Sequence, residues 1–145
     1  MNTLTGKPLD VGIRLILEDL ISSYCHTYDN KDAAGFAALF LPDATFQAFN
    51  AGQLVMDGKL DEEMIKLRMK MHEDEGIQTR HYQTNPLFTM RDDGRVAATI
   101  NLLVQHQHAD EPAPITVHTG TYEDIFEETA DGWKYASHEI RIDHR

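Results

Sequence analysis

Only one cysteine, Cys25, occurs in the 145 residues. No disulfide can therefore close within the chain, and this usage suits a reducing compartment, so a cytoplasmic protein is expected. No apolar run approaches the roughly 20 residues that cross a bilayer, and Met1 to Asp10 has neither the basic nor the apolar region of a secretory signal. Basic residues are scarce: 13 Lys and Arg against 24 Asp and Glu give a formal net charge of −11. A surface of that sign repels phosphate backbones, which argues against nucleic acid as a partner. No glycine loop that cradles phosphate and no dinucleotide fingerprint is present, so no nucleotide cofactor is implied. Repeats, linkers and low-complexity segments are also missing. A single domain over 1–145 is expected, long enough to bury its own core.

What is present is a change of period along the chain. Residues 1–8 read as a loose lead-in. Asp10 is placed to cap a helix from Val11, along which Ile13, Ile16, Leu17, Leu20, Ile21, Tyr24 and Tyr28 recur at three- and four-residue spacing. That helix ends near Asp29-Asn30. A short second helix is expected over 32–40, burying Ala33, Phe36, Ala37 and Phe40 before Pro42 breaks it. Strands follow over 44–49 and 54–56. A third helix then carries Leu60, Met64, Leu67 and Met71 behind the acidic start Asp61-Glu62-Glu63, and closes at Gly76. From there the period becomes two. Long strands are expected over 79–90, 95–108, 115–128 and 132–143, with hairpin signals at Asp92-Asp93-Gly94 and Ala130-Asp131-Gly132. Three helices followed by a four-strand antiparallel meander make an α+β domain.

A curved sheet covered by helices leaves a cone whose mouth suits a small hydrophobic ligand. Tyr24 and Tyr28 share one helix face, with Asp29 beside them at the end of the apolar stripe. Either Asp29 stabilises a turn next to two packed tyrosines, or it belongs to a site. On the first long strand His81 shares a face with Gln83 and Asn85. On the next, Ile100, Leu102, Val104, His106 and His108 share a face, an apolar row ending in two imidazoles. His106 and His108 either line a polar pocket mouth or simply leave the sheet at its edge. Phe46, Met64 and Phe88, with Met56, Leu60 and Phe49, are expected to shape the pocket wall. Metal binding would need His106, His108 and Glu111 to converge with a further histidine that the sequence does not supply, so no metal is assigned. His138-Glu139 lacks the second histidine of a helical zinc motif. Cys25, among apolar residues, is expected to pack rather than react.

Four stretches carry a resemblance over roughly Val11 to Ile142. They are the helix end Tyr24-Cys25-His26-Thr27-Tyr28-Asp29, the segment from Leu39-Phe40 to Phe46, the strand opening His81-Tyr82-Gln83-Thr84-Asn85, and Gly120-Thr121-Tyr122-Glu123-Asp124 followed by Asp131-Gly132-Trp133. The chain resembles the SnoaL-like group of the nuclear transport factor 2-like (NTF2-like) superfamily, and is similar there to scytalone dehydratase, bile-acid 7α-dehydratase and hexachlorocyclohexane dehydrochlorinase. The resemblance implies the cone-shaped, cystatin-like α+β fold, with three N-terminal helices on a curved, mostly antiparallel sheet. It implies Asp29 as the carboxylate that orients His81, and His81 as general base. Tyr28 or Tyr24 would donate to a substrate oxygen, and His106 would act as a second catalytic histidine. Tyr122 stands where the scytalone enzyme has an amide, a departure that bears on the substrate, and Tyr122 and Asn85 join the expected substrate contacts. A homo-oligomer, trimer or dimer, is implied as well.

These groups suit removal of a proton beside a carbonyl or phenol, followed by elimination, with no cofactor. The expectation is a lyase of dehydratase type acting on an oxygenated aromatic, polyketide-like or steroid-like molecule. A ring isomerase or cyclase, or a binding protein without catalysis, is the alternative, since one fold hosts many functions.

Overall fold

The computed structural model describes residues 8–143, so the lead-in expected over 1–8 lies outside the described residues except for Pro8. Helix α1 runs Val11–Asp29, and the Asp10 carboxylate caps it by accepting from the backbone amides of Gly12 and Ile13 at 2.9 and 3.2 Å. Its buried side is Leu17, Leu20, Ile21, Tyr24, Tyr28 and Asp29, while Ile16 faces outward. Helix α2, Ala33–Ala37, is capped by Asp32, whose carboxylate accepts from the Gly35 amide at 2.9 Å. It is shorter than the spacing predicts. Phe40 opens strand β1, Phe40–Asn50, instead of closing the helix. Residues that precede a proline avoid the helical region, so the chain is already extended on its approach to Pro42. The β1 register is irregular between Phe40 and Thr45, around a proline that has no N–H to give a neighbour. Phe40 is still buried, stacked on Tyr135 with centroids 4.7 Å apart.

Strand β2 (Gln53–Lys59), helix α3 (Glu62–Asp74) and the long strands β3 (Ile77–Met90), β4 (Val96–His108), β5 (Ile115–Thr129) and β6 (Gly132–Ile142) complete the order. The sheet order is β2-β1-β6-β5-β4-β3. All neighbours are antiparallel except β1 and β6, which run parallel. That parallel pair returns the end of the chain to its first strand and makes the sheet mixed. Val96, Ala98, Ile100, Leu102 and Val104 of β4, Tyr122 and Phe126 of β5, and Tyr135 of β6 form one core with α1 and α2. On β5, Gly120 has no room for a side chain, because a Cβ there would collide with the Arg141 carbonyl of β6.

Two local patterns differ from expectation. In α3 the buried residues are Ile65 and Met69, whereas Met64, Leu67 and Met71 are exposed. Two apolar rows overlap on this helix at compatible spacing, and the row that packs is the one continued by His72 toward the sheet. In β3 the register shifts between Thr84 and Leu87, where Asn85 takes a positive φ of 56° next to Pro86. The bulge resets the alternation. His81 lies opposite Val104, and beyond the bulge Phe88 lies opposite Ala98 and Met90 opposite Val96.

Candidate active site

Asp29 is the last residue of α1, and its side chain turns away from its own helix toward β3. Oδ1 accepts from the Thr79 hydroxyl at 2.9 Å and from His81 Nδ1 at 2.7 Å, and Oδ2 accepts from the His81 backbone amide at 2.9 Å. Gln78 adds a side-chain bond to the Asp29 carbonyl at 2.8 Å. Asp29 is thus both the fastening of α1 to the sheet and the partner of an imidazole. An ionised carboxylate can only accept, so the proton of this pair sits on Nδ1 and fixes the tautomer. In the neutral ring the lone pair is then on Nε2, which has no hydrogen-bond partner among the described residues. The His81 side chain is 10% exposed and that of Asp29 6%. Tyr28 meets the His81 ring edge-on at 4.9 Å, and Tyr24 lies farther away at 6.1 Å.

His106 lies across from Thr79 in the β3–β4 register and hence on the same face as His81. Its ring meets His72 of α3 at 5.1 Å, with His108 at 6.5 Å. Burial, with His72, His118, His108 and His81 nearby, pushes its pKa down to about 4. At neutral pH His106 is therefore uncharged; it can share a hydrogen bond but holds no surplus proton. His72 is shifted down for the same first cause, with Glu75 opposing. The sequence reading missed His72. The signal was there, since it follows Ile65 by seven residues and Met69 by three, on the helix face that packs. No group of three or more His, Cys, Asp or Glu among the described residues is arranged to hold a metal ion.

A second Asp–His pair also escaped the sequence reading. His138 Nδ1 lies 2.6 Å from Asp124 Oδ1, and both side chains are fully buried. His138 Nε2 lies 3.1 Å from the Tyr24 hydroxyl, which is 3.4 Å from the Tyr122 hydroxyl. Burial raises the Asp124 pKa, opposed by His138, and raises those of Tyr24 and Tyr122 well above the usual phenol value. Asp124 Oδ2 and the Tyr135 hydroxyl are buried without a partner among the described residues. The available signal was Asp124 itself, an acid in the buried alternation between Tyr122 and Phe126.

This second cluster redistributes the expected site. Tyr24 commits its hydroxyl to His138, leaving Tyr28 as the phenol against His81. Tyr122 and Phe46 pack on His138 at 4.5 and 5.1 Å. Met64 is on the exposed side of α3, and Asn85 is exposed in the bulge. Phe88 lies under the Arg14 guanidinium at 5.1 Å, which places it near the opposite end of α1, roughly 20 Å from Asp29 at 1.5 Å per residue. Cys25 accepts a bond from Gln83 at 3.4 Å, and burial pushes its thiol up to about 11, which keeps it protonated and unreactive. No described helix is long and apolar enough to cross a membrane.

Solved structures share this architecture. Aln2 from a Streptomyces species superposes with a TM-score of 0.77 at 23% identity, over 94% of this chain and 94% of that one. A Catenulispora acidiphila protein in complex with S-DNPA gives 0.72 at 21% identity, over 92% and 95%. A candidate scytalone dehydratase from Novosphingobium aromaticivorans gives 0.71 at 19% identity, over 91% and 84%. At these identities the likeness is one of fold. No curated protein matches the chain by sequence. A family model described as a SnoaL-like domain matches residues 13–139, a span that takes in both Asp–His pairs, and the chain belongs to that family within the NTF2-like superfamily.

Proposed function

We propose that the protein is a cofactor-independent lyase of dehydratase type, with His81 as general base, Asp29 as its orienting carboxylate and Tyr28 as hydrogen-bond donor to substrate oxygen. The observation that carries this reading is the 2.7 Å bond from His81 Nδ1 to a carboxylate already held by two further donors, with Nε2 left uncommitted beside Tyr28. Imidazole exchanges protons near neutral pH, and a fixed carboxylate stabilises the cation that forms. In the proposed reaction Nε2 removes a proton from carbon next to a ring carbonyl. The Tyr28 hydroxyl donates to the developing enolate oxygen. The electron pair then expels the β-hydroxyl, which takes the proton back from His81 and leaves as water. Substrate and product differ by one water, and the imidazole ends as it began. The candidate scytalone dehydratase among the structural neighbours, and the neighbour that holds the small molecule S-DNPA, are in keeping with a small-molecule substrate.

The test is a panel of aromatic-fused β-hydroxy cyclic ketones, with water loss followed by the absorbance of the conjugated product. The wild type is expected to turn over at least one. His81→Ala and Asp29→Asn are expected to lose roughly 10²–10⁴-fold while remaining folded, the range of a general base. A His81→Ala variant that keeps its turnover excludes this base. Ligands bound at His81 but returned unchanged point to a binding protein instead.

A further inference from the structure

We infer that His118 holds the departing β-hydroxyl of the substrate, so that the reacting carbons sit between two imidazoles, His81 on β3 and His118 on β5. This rests on the reading of His81 given above and deepens it, because that reading names no group that holds the leaving oxygen.

The register of three strands makes the placement. Val104 of β4 lies opposite His81 on one side and opposite His118 on the other. On the next rung Leu102 lies between Gln83 and Gly120. Registered neighbours share a face of the sheet, and here it is the core side, since Ile100, Leu102 and Val104 are all buried. Along β5 the same parity runs from His118 through Gly120 to Tyr122, Asp124 and Phe126, the last three buried as well. His118, like His81, is partly buried. Strands stand about 4.8 Å apart, so two spacings put the Cα atoms of the two histidines about 10 Å apart, with Val104 between them.

The neighbouring polar groups have other engagements. Tyr28 meets His81 from α1, and the Tyr24 hydroxyl is bound to His138. Tyr122 and Asp124, farther along the same face of β5, belong to that buried cluster. His106 stands two residues beyond Val104, opposite Thr79, with its ring on His72 of α3 at 5.1 Å. His118 and His81 are both among the groups that keep His106 from taking a proton, which agrees with a common face for all three.

An elimination needs a base at one carbon and a donor at the oxygen leaving the next. The base approaches its carbon to about 3–3.5 Å and the donor comes within about 2.8 Å of the oxygen, with two covalent bonds between those atoms. The two nitrogens then stand within roughly 8–9 Å of each other, a span that side chains rooted two strands apart on one face can meet. Imidazole carries an N–H in either charge state, so His118 can donate at neutral pH. In the step, the α-hydrogen passes as a proton to His81 Nε2, the carbon–carbon double bond forms and the carbon–oxygen bond breaks. His118 keeps its own proton and steadies the charge that develops on the oxygen. The proton that completes the water comes from His81.

The experiment uses two ketones that give the same fluorescent product, 1-naphthol. One is 3-hydroxy-1-tetralone, which loses water; the other is 3-acetoxy-1-tetralone, which loses acetic acid. Acetate departs as a stable anion and needs little help, whereas hydroxide needs a donor. His118→Phe is expected to slow the hydroxy ketone by about 10²-fold, the scale of one lost donor at a developing oxyanion, and the acetoxy ketone by no more than a few-fold. His118→Gln, which keeps an N–H, is expected to recover part of the loss. His118→Leu repeats the comparison should the phenylalanine variant not fold. Exchange of the α-hydrogens of 1-tetralone in D2O, followed by NMR, reads His81 without any leaving group, and is expected in the wild type and lost in His81→Ala. Equal losses on the two ketones in a folded His118 variant, or no loss on the hydroxy ketone, overturn the role of His118 and leave that of His81 standing. So does a wild type that exchanges 1-tetralone but releases no 1-naphthol from the hydroxy ketone. If the wild type shows no exchange, or His81→Ala keeps it, both readings fall together.

Discussion

The molecule contains the same chemical pair twice, in opposite settings. Asp29–His81 and Asp124–His138 have nearly equal bonds, 2.7 and 2.6 Å. What separates them is the far side of each ring. His138 Nε2 meets the Tyr24 hydroxyl, in a cluster closed by Tyr122, Tyr135, Phe40 and Phe46. His81 Nε2 has no hydrogen-bond partner among the described residues, and its side chain retains some exposure. A base whose lone pair is occupied and sealed in core has nothing to act on. One whose lone pair is open beside a phenol can take a substrate proton. Tyr24 stands between the two, 6.1 Å from His81 and 5.2 Å from His138, with its hydroxyl given to the second. The pair is therefore not a signature of catalysis; the state of the second nitrogen decides.

The comparison breaks or holds on paired substitutions. His81→Ala should cost turnover by roughly 10²–10⁴-fold and shift Tm little, because the ring is at the edge of the core. His138→Ala should do the reverse. Removing the imidazole strands Asp124 without its partner in full burial, where breaking such a pair costs about 3–5 kcal/mol, or on the order of 10 °C for a chain of this size. Replacing both members, Asp124→Leu with His138→Phe, should lose less than His138→Ala alone, since an apolar pair leaves no uncompensated charge. Calorimetry of the four proteins checks this. Equal Tm losses at His81 and His138 would show that the two pairs are both struts.

The next effect in size concerns the two faces of α3. Ile65→Ala and Met69→Ala should each cost about 2–5 kcal/mol as core truncations. Met64→Ala and Leu67→Ala should stay within about 0.5 kcal/mol. Urea midpoints at constant m decide it. A large loss at Met64 would mean that the apolar row read from the sequence is covered after all.

That contrast shows where the sequence is readable. Long elements with one clean period are legible: α1 starts at its Asp10 cap, and the four long strands are bounded by Gly76, Gly94 and Gly132 and by the proline-bearing connection over 109–114. The pairing of Asp29 with His81 rests on resemblance, because no local pattern says which strand histidine a helix-end aspartate will meet 52 positions later. Where two apolar rows overlap, as in α3, periodicity names both and packing picks one. Where a bulge enters, as at Asn85, the parity of every later residue changes, so Asn85 turns outward and Phe88 inward. Asp124–His138 was hidden for a different reason. A charged residue in a buried row becomes intelligible only when its partner strand is in register, here Asp124 opposite His138.

The smallest expected effect is one of slope, and it separates His106 from both pairs. Its folded pKa, about 4, is below the ordinary imidazole value of about 6.5. Between those values the unfolded chain binds a proton that the folded site refuses, so stability falls with falling pH. The contribution is complete above about 6.5 and is lost progressively toward 4. His106→Gln removes that proton uptake, and its Tm should decline less steeply than that of the wild type across this window while the two run parallel above it. His72 is shifted in the same direction, so a residual slope should remain, and His72→Gln combined with His106→Gln should flatten the curve further. Tm measured against pH for the three proteins is the check. Superimposed curves would mean that His106 takes up its proton in the folded state as readily as in water, and it could then serve as the second, acidic partner of His81 that the resemblance implies.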